Sequence, residues 1–359
     1  MTTLVGNSRD EMLGHARFVM GEALVTNSRP VAESAARRIL ADRYGIEGSL
    51  QPLTGEKDRN FYVRAGKQQY VLKFVHELEP RGTSDLHTEA MLHIERRAPS
   101  LPVQRVIRTY EGDPAFEVEI DGVSRFVRLV TFIPGQLQRQ LPPCQDQRYN
   151  IGQNLGMLLQ ALSTFRHPSE DHRLIWDLKH AADLRALTAS IRDGDNRSRL
   201  EKELDRFKDE IQPILVSLRS QAIHNDLNGD NIVLDSSNPS IVKGVLDFGD
   251  LVRTPLVVDV AVAATYQLEA KENPLIGALE LISGFNSVYE LEEDEINILF
   301  DLILARVVVR IIITQLRAEF FPDNRDYILR NTDIALSQFS TLTSMDRRAA
   351  IEAIHDACA

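Results

Sequence analysis

Cysteine is nearly absent. The 359 residues hold two, Cys144 and Cys358, neither in a CxxC pair nor beside a histidine at zinc spacing. This argues against a disulfide-stapled secreted scaffold and a structural zinc site, and it fits a reducing cytoplasm. No basic stretch followed by an apolar one opens the chain. The most apolar runs are broken by charge, with Asp259 in LVVDVAVAA and Arg306 and Arg310 in LILARVVVRIII. Neither a signal peptide nor a membrane span is expected. A basic surplus is also missing. The net charge of -11 makes nucleic acid and anionic lipid poor partners, while an acidic surface suits a cationic small substrate. There is no Walker A pattern, no internal repeat and no low-complexity tract.

What is present is a globular composition, 43% hydrophobic and 26% charged, on a chain long enough for two packed units. After an unpatterned stretch, residues 28–46 read as a helix that stops at Gly45. SLQPLTG, NFYVRA and QQYVLKFVH then read as an antiparallel meander, with Gly66-Lys67 turning between the last two. A helix is expected over TSDLHTEAMLHIERRAP. Three more strands are expected in VQRVIRTY, AFEVEI and SRFVRLVTFI, with a hairpin turn at Asp121-Gly122. From Ile133-Pro134-Gly135 onward the helical period dominates, near 146–165, 177–192, 197–219, 255–270, 275–290, 294–318 and 325–357. The fold class is therefore α+β: a small antiparallel-sheet lobe, then a larger, mostly helical one.

One β-rich insert interrupts the helices: AIHNDLNGDNIVLDSSNPSIVKGVLDFGDL, residues 222–251. Each of its two polar clusters alone is what any turn uses. Together, H-x-D-x-x-x-x-N followed by D-F-G has the order phosphoryl transfer requires. In that order Asp226 receives a hydroxyl proton, while Asn231 and Asp247 supply oxygen ligands to Mg²⁺. His224 holds the turn. In the first lobe, Lys73 in YVLKF is placed to reach the α- and β-phosphates of a nucleotide. Glu89 on the next helix is expected to pair with it, and Glu95 is a weaker competitor. The phosphate-covering loop falls at 54–60. With one glycine, Gly55, it departs from GxGxxG, so main-chain N–H groups near Asp58, Arg59 and Asn60 are expected to meet the phosphates, with Lys57 or Arg59 assisting.

HNDLNGDN at 224–231, VLDFGDLV at 245–252, Asp259 in VVDVAVA, YVLKF at 70–74 and RLVTFIPG at 128–135 carry a resemblance. They are similar to the aminoglycoside phosphotransferase and choline kinase type of small-molecule kinase. NFYV after the loop, HxDLNxxNI and GVLDFGD are most similar to its hydroxylysine kinase branch. The commoner pattern in that superfamily is HGD, and here Asn225 stands at the glycine. The resemblance covers nearly the whole chain after residue 30.

It implies a bilobal, protein-kinase-like fold with ATP or GTP in the cleft and the base against the hinge that contains Val130 and Phe132. It divides the chain into an extension at 1–29, a nucleotide-binding lobe at 30–132 and a helical lobe at 133–359 with the acceptor site. The implied reaction moves the γ-phosphate to a hydroxyl of a small amine-bearing metabolite. A hydroxylysine-like amino acid comes first, with homoserine or an aminoglycoside as alternatives. A catalytically silent nucleotide-binding regulator is the rival from another class; its mark would be loss of Asp226, Asn231 or Asp247, and all three are present.

For the acceptor, Asp226 and Asp250 are candidates to meet an amine. Arg306 and Arg310 share a buried helix face, where either an acid on a neighbouring helix or an acceptor carboxylate would satisfy them. Arg253 is left between a site contact and an exposed position. Asp259 is read as a brace for the catalytic loop, and Trp176 as a core anchor ahead of an acceptor contact.

Overall fold

The computed structural model describes residues 14, 17, 21–53, 55, 57–269 and 273–359. Of the expected phosphate loop, Thr54 and Glu56 lie outside the described residues, as does most of the 1–29 extension. Among the described residues no helix is long and apolar enough to cross a membrane.

Helix α1 (Glu33–Tyr44) leads into strands β1 (Ser49–Leu53), β2 (Arg59–Ala65) and β3 (Gln68–Phe74). Gly45 ends α1 at φ 63°, and its N–H closes onto Ala41 O. A side chain there would strike the Tyr110 ring, so glycine is required twice over. Helix α2 (Arg81–Arg97), β4 (Val106–Ile107), β5 (Phe116–Ile120) and β6 (Val123–Thr131) complete the unit. The Asp121-Gly122 hairpin forms as expected, with both residues at positive φ. The sheet runs β1-β2-β3-β6-β4, with β5 also on β6. VQRVIRTY yields only the two-residue β4. Arg105, just before it, gives its N–H to the Thr131 side chain, outside any strand ladder.

Alternation along the strands assigns the two faces of the sheet. Phe61, Val63, Leu72, Phe74, Val127 and Leu129 form a core with Ala36, Ile39 and Leu40 of α1. Lys73 and Arg128, the intervening residues, oppose each other in register on β3 and β6 and so share the other face, beneath α2. That face is continuous with the larger core, where Val130 meets Leu86 and Ile94.

After β7 (Gln136–Leu137) comes the helical body: α3 (Gln145–Leu162), α4 (Gly194–Arg206), α5 (Val257–Thr265), α6 (Ile276–Asn286), α7 (Glu293–Phe320), α8 (Thr332–Ser344) and α9 (Arg347–Cys358). The helix expected near 177–192 is a run of 3₁₀ turns, Leu178–Ser190, capped by the Asp177 side chain. The single helix expected at 325–357 is broken into pieces, the last of them started by the side chain of Asp346, which accepts from Ala349 N. Helices α3 and α6 pack almost backbone to backbone; a side-chain carbon added at Gly152 would lie 2.0 Å from Leu281 O.

Between α4 and α5 the insert forms β8 (Ser220–Ile223), β9 (Ile232–Leu234), β10 (Val242–Val245) and β11 (Val252–Pro255). Strands β8 and β11 are antiparallel, with Ile223 opposite Val252. The loop leaving β8 and the loop entering β11 therefore emerge side by side. This register sets residues 224–231 against residues 247–250.

Candidate active site

The loop after β8 is held from beneath. Asp259, fully buried near the start of α5, accepts the N–H groups of His224 at 2.8 Å and Asn225 at 2.7 Å. It thus braces the loop, as its place in an apolar helix suggested. Asn225 takes φ 64°, a left-handed conformation that asparagine tolerates better than most residues. The Nδ1 of buried His224 accepts the Asp226 N–H at 3.3 Å, and its Nε2 lies 2.9 Å from Leu246 O. Its ring is thereby fixed between the two loops.

Two amides orient the Asp226 carboxylate. Asn228 donates to Oδ1 at 2.9 Å, and Asn231 donates to Oδ2 at 2.8 Å. Arg306 of α7 adds a guanidinium 3.6 Å from Oδ1. That guanidinium is almost wholly buried, lies 5.1 Å above the Trp176 ring, and gives a hydrogen bond to Trp176 O at 2.9 Å. Trp176 is therefore half-buried against the core and also underlies the site. Loss of water and the nearby charge of Asp250 push the Asp226 carboxyl well above its usual range, against the pull of Arg306. Asp250 itself is pushed up to about 6, by desolvation first, while Lys57 and Arg306 oppose the shift.

Asp247 takes φ 57°, and its Oδ1 accepts the Gly249 N–H at 3.1 Å and lies 3.2 Å from Lys73 Nζ. Lys73 beside it holds its carboxyl below the usual range. Asp58 completes the cluster, 3.8 Å from Lys73 Nζ, while its other oxygen accepts the His76 N–H at 3.0 Å. Asn60 lies opposite Lys73 in the β2–β3 register, with its Oδ1 buried and unpartnered. On β6, between Val71 of β3 and Val106 of β4, Val130 is enclosed in the core. Phe132, half-buried, sets its ring 4.9 Å from that of Tyr62.

Two expected roles do not form. Glu89 is exposed on α2, turned away from Lys73, because the neighbouring residues His87, Thr88 and Ala90 take the sheet-facing side. Lys73 meets Asp58 and Asp247 instead. Arg59 points away from the cluster and donates through Nε to Ser28 O at 3.1 Å, so its side chain is committed to the main chain near the N terminus. Lys57 pairs with Glu79, which, with Asp58 and Asp250, outweighs the effect of burial and holds its pKa up.

The sequence reading missed Arg128. Buried beside Lys73, it donates to Ser84 O at 3.3 Å and Thr88 Oγ1 at 3.4 Å, and so joins the sheet to α2 where a Lys–Glu pair was expected. A visible signal existed: an arginine inside the apolar run FVRLV. Elsewhere, Arg253 pairs with Glu170 at 3.2 Å and is structural.

The donor set fits a magnesium nucleotide. Asn231 spends its amide N–H on Asp226, which leaves its carbonyl oxygen for a hard cation, and Asp247 keeps Oδ2 clear of Lys73. Among the described residues no three His, Cys, Asp or Glu side chains cluster as a self-sufficient metal site. Phosphate and water oxygens would complete the shell, as is usual for Mg²⁺.

Residues 49–287 match the Phosphotransferase enzyme family. Hydroxylysine kinase of Mus musculus is 29% identical over 352 residues, covering 91% of this chain and 93% of the relative. An aminopropanol kinase structure superposes with a TM-score of 0.68 at 17% identity, over 87% of this chain and 98% of that one. An amicoumacin kinase, solved in complex with AMP-PNP and Ca²⁺, superposes with a TM-score of 0.65 at 13% identity, over 89% and 97%. These likenesses extend the shared bilobal kinase fold over most of the chain.

Proposed function

The chain belongs to the phosphotransferase enzyme family and is a small-molecule kinase, and on that premise we propose that it transfers the γ-phosphate of ATP or GTP, with Mg²⁺, to the hydroxyl of a hydroxylysine-like amino acid. The observation that carries this reading is the convergence on one cleft of Lys73 with Asp247, 3.2 Å apart, and Asn231 with Asp226, 2.8 Å apart. The name of the relatives that match over about nine-tenths of the chain supports the choice of acceptor.

In this reading 30–132 is the nucleotide lobe, 133–359 the acceptor lobe, and the base lies against Val130 to Phe132. Lys73 and Arg128 bring positive charge to the phosphate end. Mg²⁺, held by Asn231 and Asp247, would neutralise charge on the phosphates. Asp226 accepts the hydroxyl proton as the acceptor oxygen bonds to phosphorus and the nucleoside diphosphate leaves; its raised pKa makes it a stronger base than an ordinary carboxylate. Asp250 takes the acceptor's ammonium. The free cysteines fit a cytoplasmic setting.

A coupled assay with Mg-ATP and Mg-GTP against hydroxylysine, homoserine, an amino alcohol and an aminoglycoside tests the proposal. We expect the highest kcat/KM with hydroxylysine; no turnover of any hydroxylated amine would sink the reading.

The pH profile gives a second check. An ionised Asp250 strengthens acceptor binding, so kcat/KM falls as pH drops through about 6, the value to which Asp250 is raised. Asp250→Asn removes a negative charge that raises Asp226, so the acid limb moves to lower pH even though acceptor binding weakens. A limb that stays in place or moves up would show that the two carboxyls do not interact.

A further inference from the structure

The buried arginines of this protein are mostly answered by acids. Arg148 meets Glu280 at 2.7 Å, Arg125 meets Glu77 at 3.2 Å, and Arg306 meets Asp226 at 3.6 Å. Arg310 differs. Among the described residues it meets no carboxylate; its Nη1 donates to Gln338 Oε1 at 3.3 Å, and its guanidinium lies 4.8 Å over the Tyr266 ring. A half-buried cation with one neutral hydrogen-bond partner keeps a charge and donors that an opposite charge would satisfy. Burial, with Arg306's charge adding to it, pulls the Arg310 pKa below the usual arginine value against the opposing effects of Tyr266 and Asp226.

Its place says which anion. Arg306 and Arg310 are four residues apart on α7, on one face and about 6 Å apart along the axis. Arg306 touches Asp226, where the acceptor hydroxyl must come. Arg310 therefore lies one helical turn from the arginine that touches Asp226, near enough to feel the Asp226 charge. Of its five N–H donors, the Gln338 bond uses one, and a planar fork with free donors matches a carboxylate. Stacking on Tyr266 fixes the plane of that fork.

Resting on the phosphotransfer reading above, we propose that Arg310 binds the acceptor's carboxylate, so that the enzyme takes hydroxylated amino acids in preference to amino alcohols without a carboxylate. Arg306 then orients the proton acceptor, Arg310 holds the far end of the substrate, and the distance between them selects acceptors whose carboxylate lies several bonds from the hydroxyl.

The test compares hydroxylysine with its carboxamide, which differs only in the charge Arg310 would meet. The wild-type protein should prefer the acid in kcat/KM on the order of 30-fold, mostly through KM. Arg310→Gln should bring that ratio close to one, and Arg310→Lys should retain part of it. Equal treatment of acid and carboxamide by the wild-type protein overturns the proposal without any variant, and so does a ratio that survives Arg310→Gln. Turnover confined to carboxylate-free amino alcohols removes the role of Arg310 but leaves phosphotransfer standing. If no hydroxylated amine is turned over, and none binds by calorimetry with a nonhydrolysable nucleotide, both readings fall.

Discussion

Asp226→Asn lowers kcat by about 10³-fold, the scale of a lost general base, while nucleotide affinity stays within a few-fold of wild type. The asymmetry follows from the geometry. Asp226 is reached by Asn228, Asn231 and Arg306, all in the helical body, and touches none of the groups gathered around Lys73. The asparagine keeps the shape and an acceptor oxygen for one of its two amide neighbours but cannot take the hydroxyl proton. It also relieves the repulsion from Asp250, which offsets part of the cost of leaving Arg306 without its carboxylate. Nucleotide titration followed by fluorescence, beside steady-state turnover, separates the two effects. Undiminished kcat would remove Asp226 from the chemistry.

The second large effect falls on stability. Asp259→Ala withdraws both acceptors from the N–H groups of His224 and Asn225, in a place with no water to replace them. Two orphaned buried donors cost about 3 kcal/mol, read as a lower urea midpoint. The loop they belong to holds Asn225 at φ 64° only while it is braced, so turnover should fall as well. Asp259→Asn retains one acceptor and sheds a charge whose burial is unfavourable, so it should recover more than half of the lost stability. An alanine variant as stable and active as wild type would show that the brace is dispensable.

Much of this site is legible in the sequence because its parts are local. The spacing from His224 to Asn231 and the Asp247-Phe248-Gly249 triplet are consequences of turn geometry, and the β8–β11 pairing that joins them spans one insert. Lys73 was legible from its order in the chain and its apolar setting between Leu72 and Phe74. What stayed hidden depends on which way a helix faces or on partners distant along the chain. Glu89 has the right residue type on the right helix, but the rotation of α2 places His87, Thr88 and Ala90 on the sheet side. Arg306 reaches Asp226 across eighty positions of sequence, and no periodicity announces that meeting. The helices near 177–192 and 325–357 were overdrawn because apolar spacing alone does not distinguish 3₁₀ turns from α, nor reveal where a side chain such as Asp346 starts a new helix.

In kinases that rely on a lysine–glutamate contact, displacing the helix that bears the glutamate silences the enzyme. Here Arg128 fastens that helix by its own backbone and a threonine, and Glu89 stands in solvent with no part to play. Such a joint offers signalling nothing to disconnect. A switch that works by breaking a lysine–glutamate contact would find none between Lys73 and Glu89 to break.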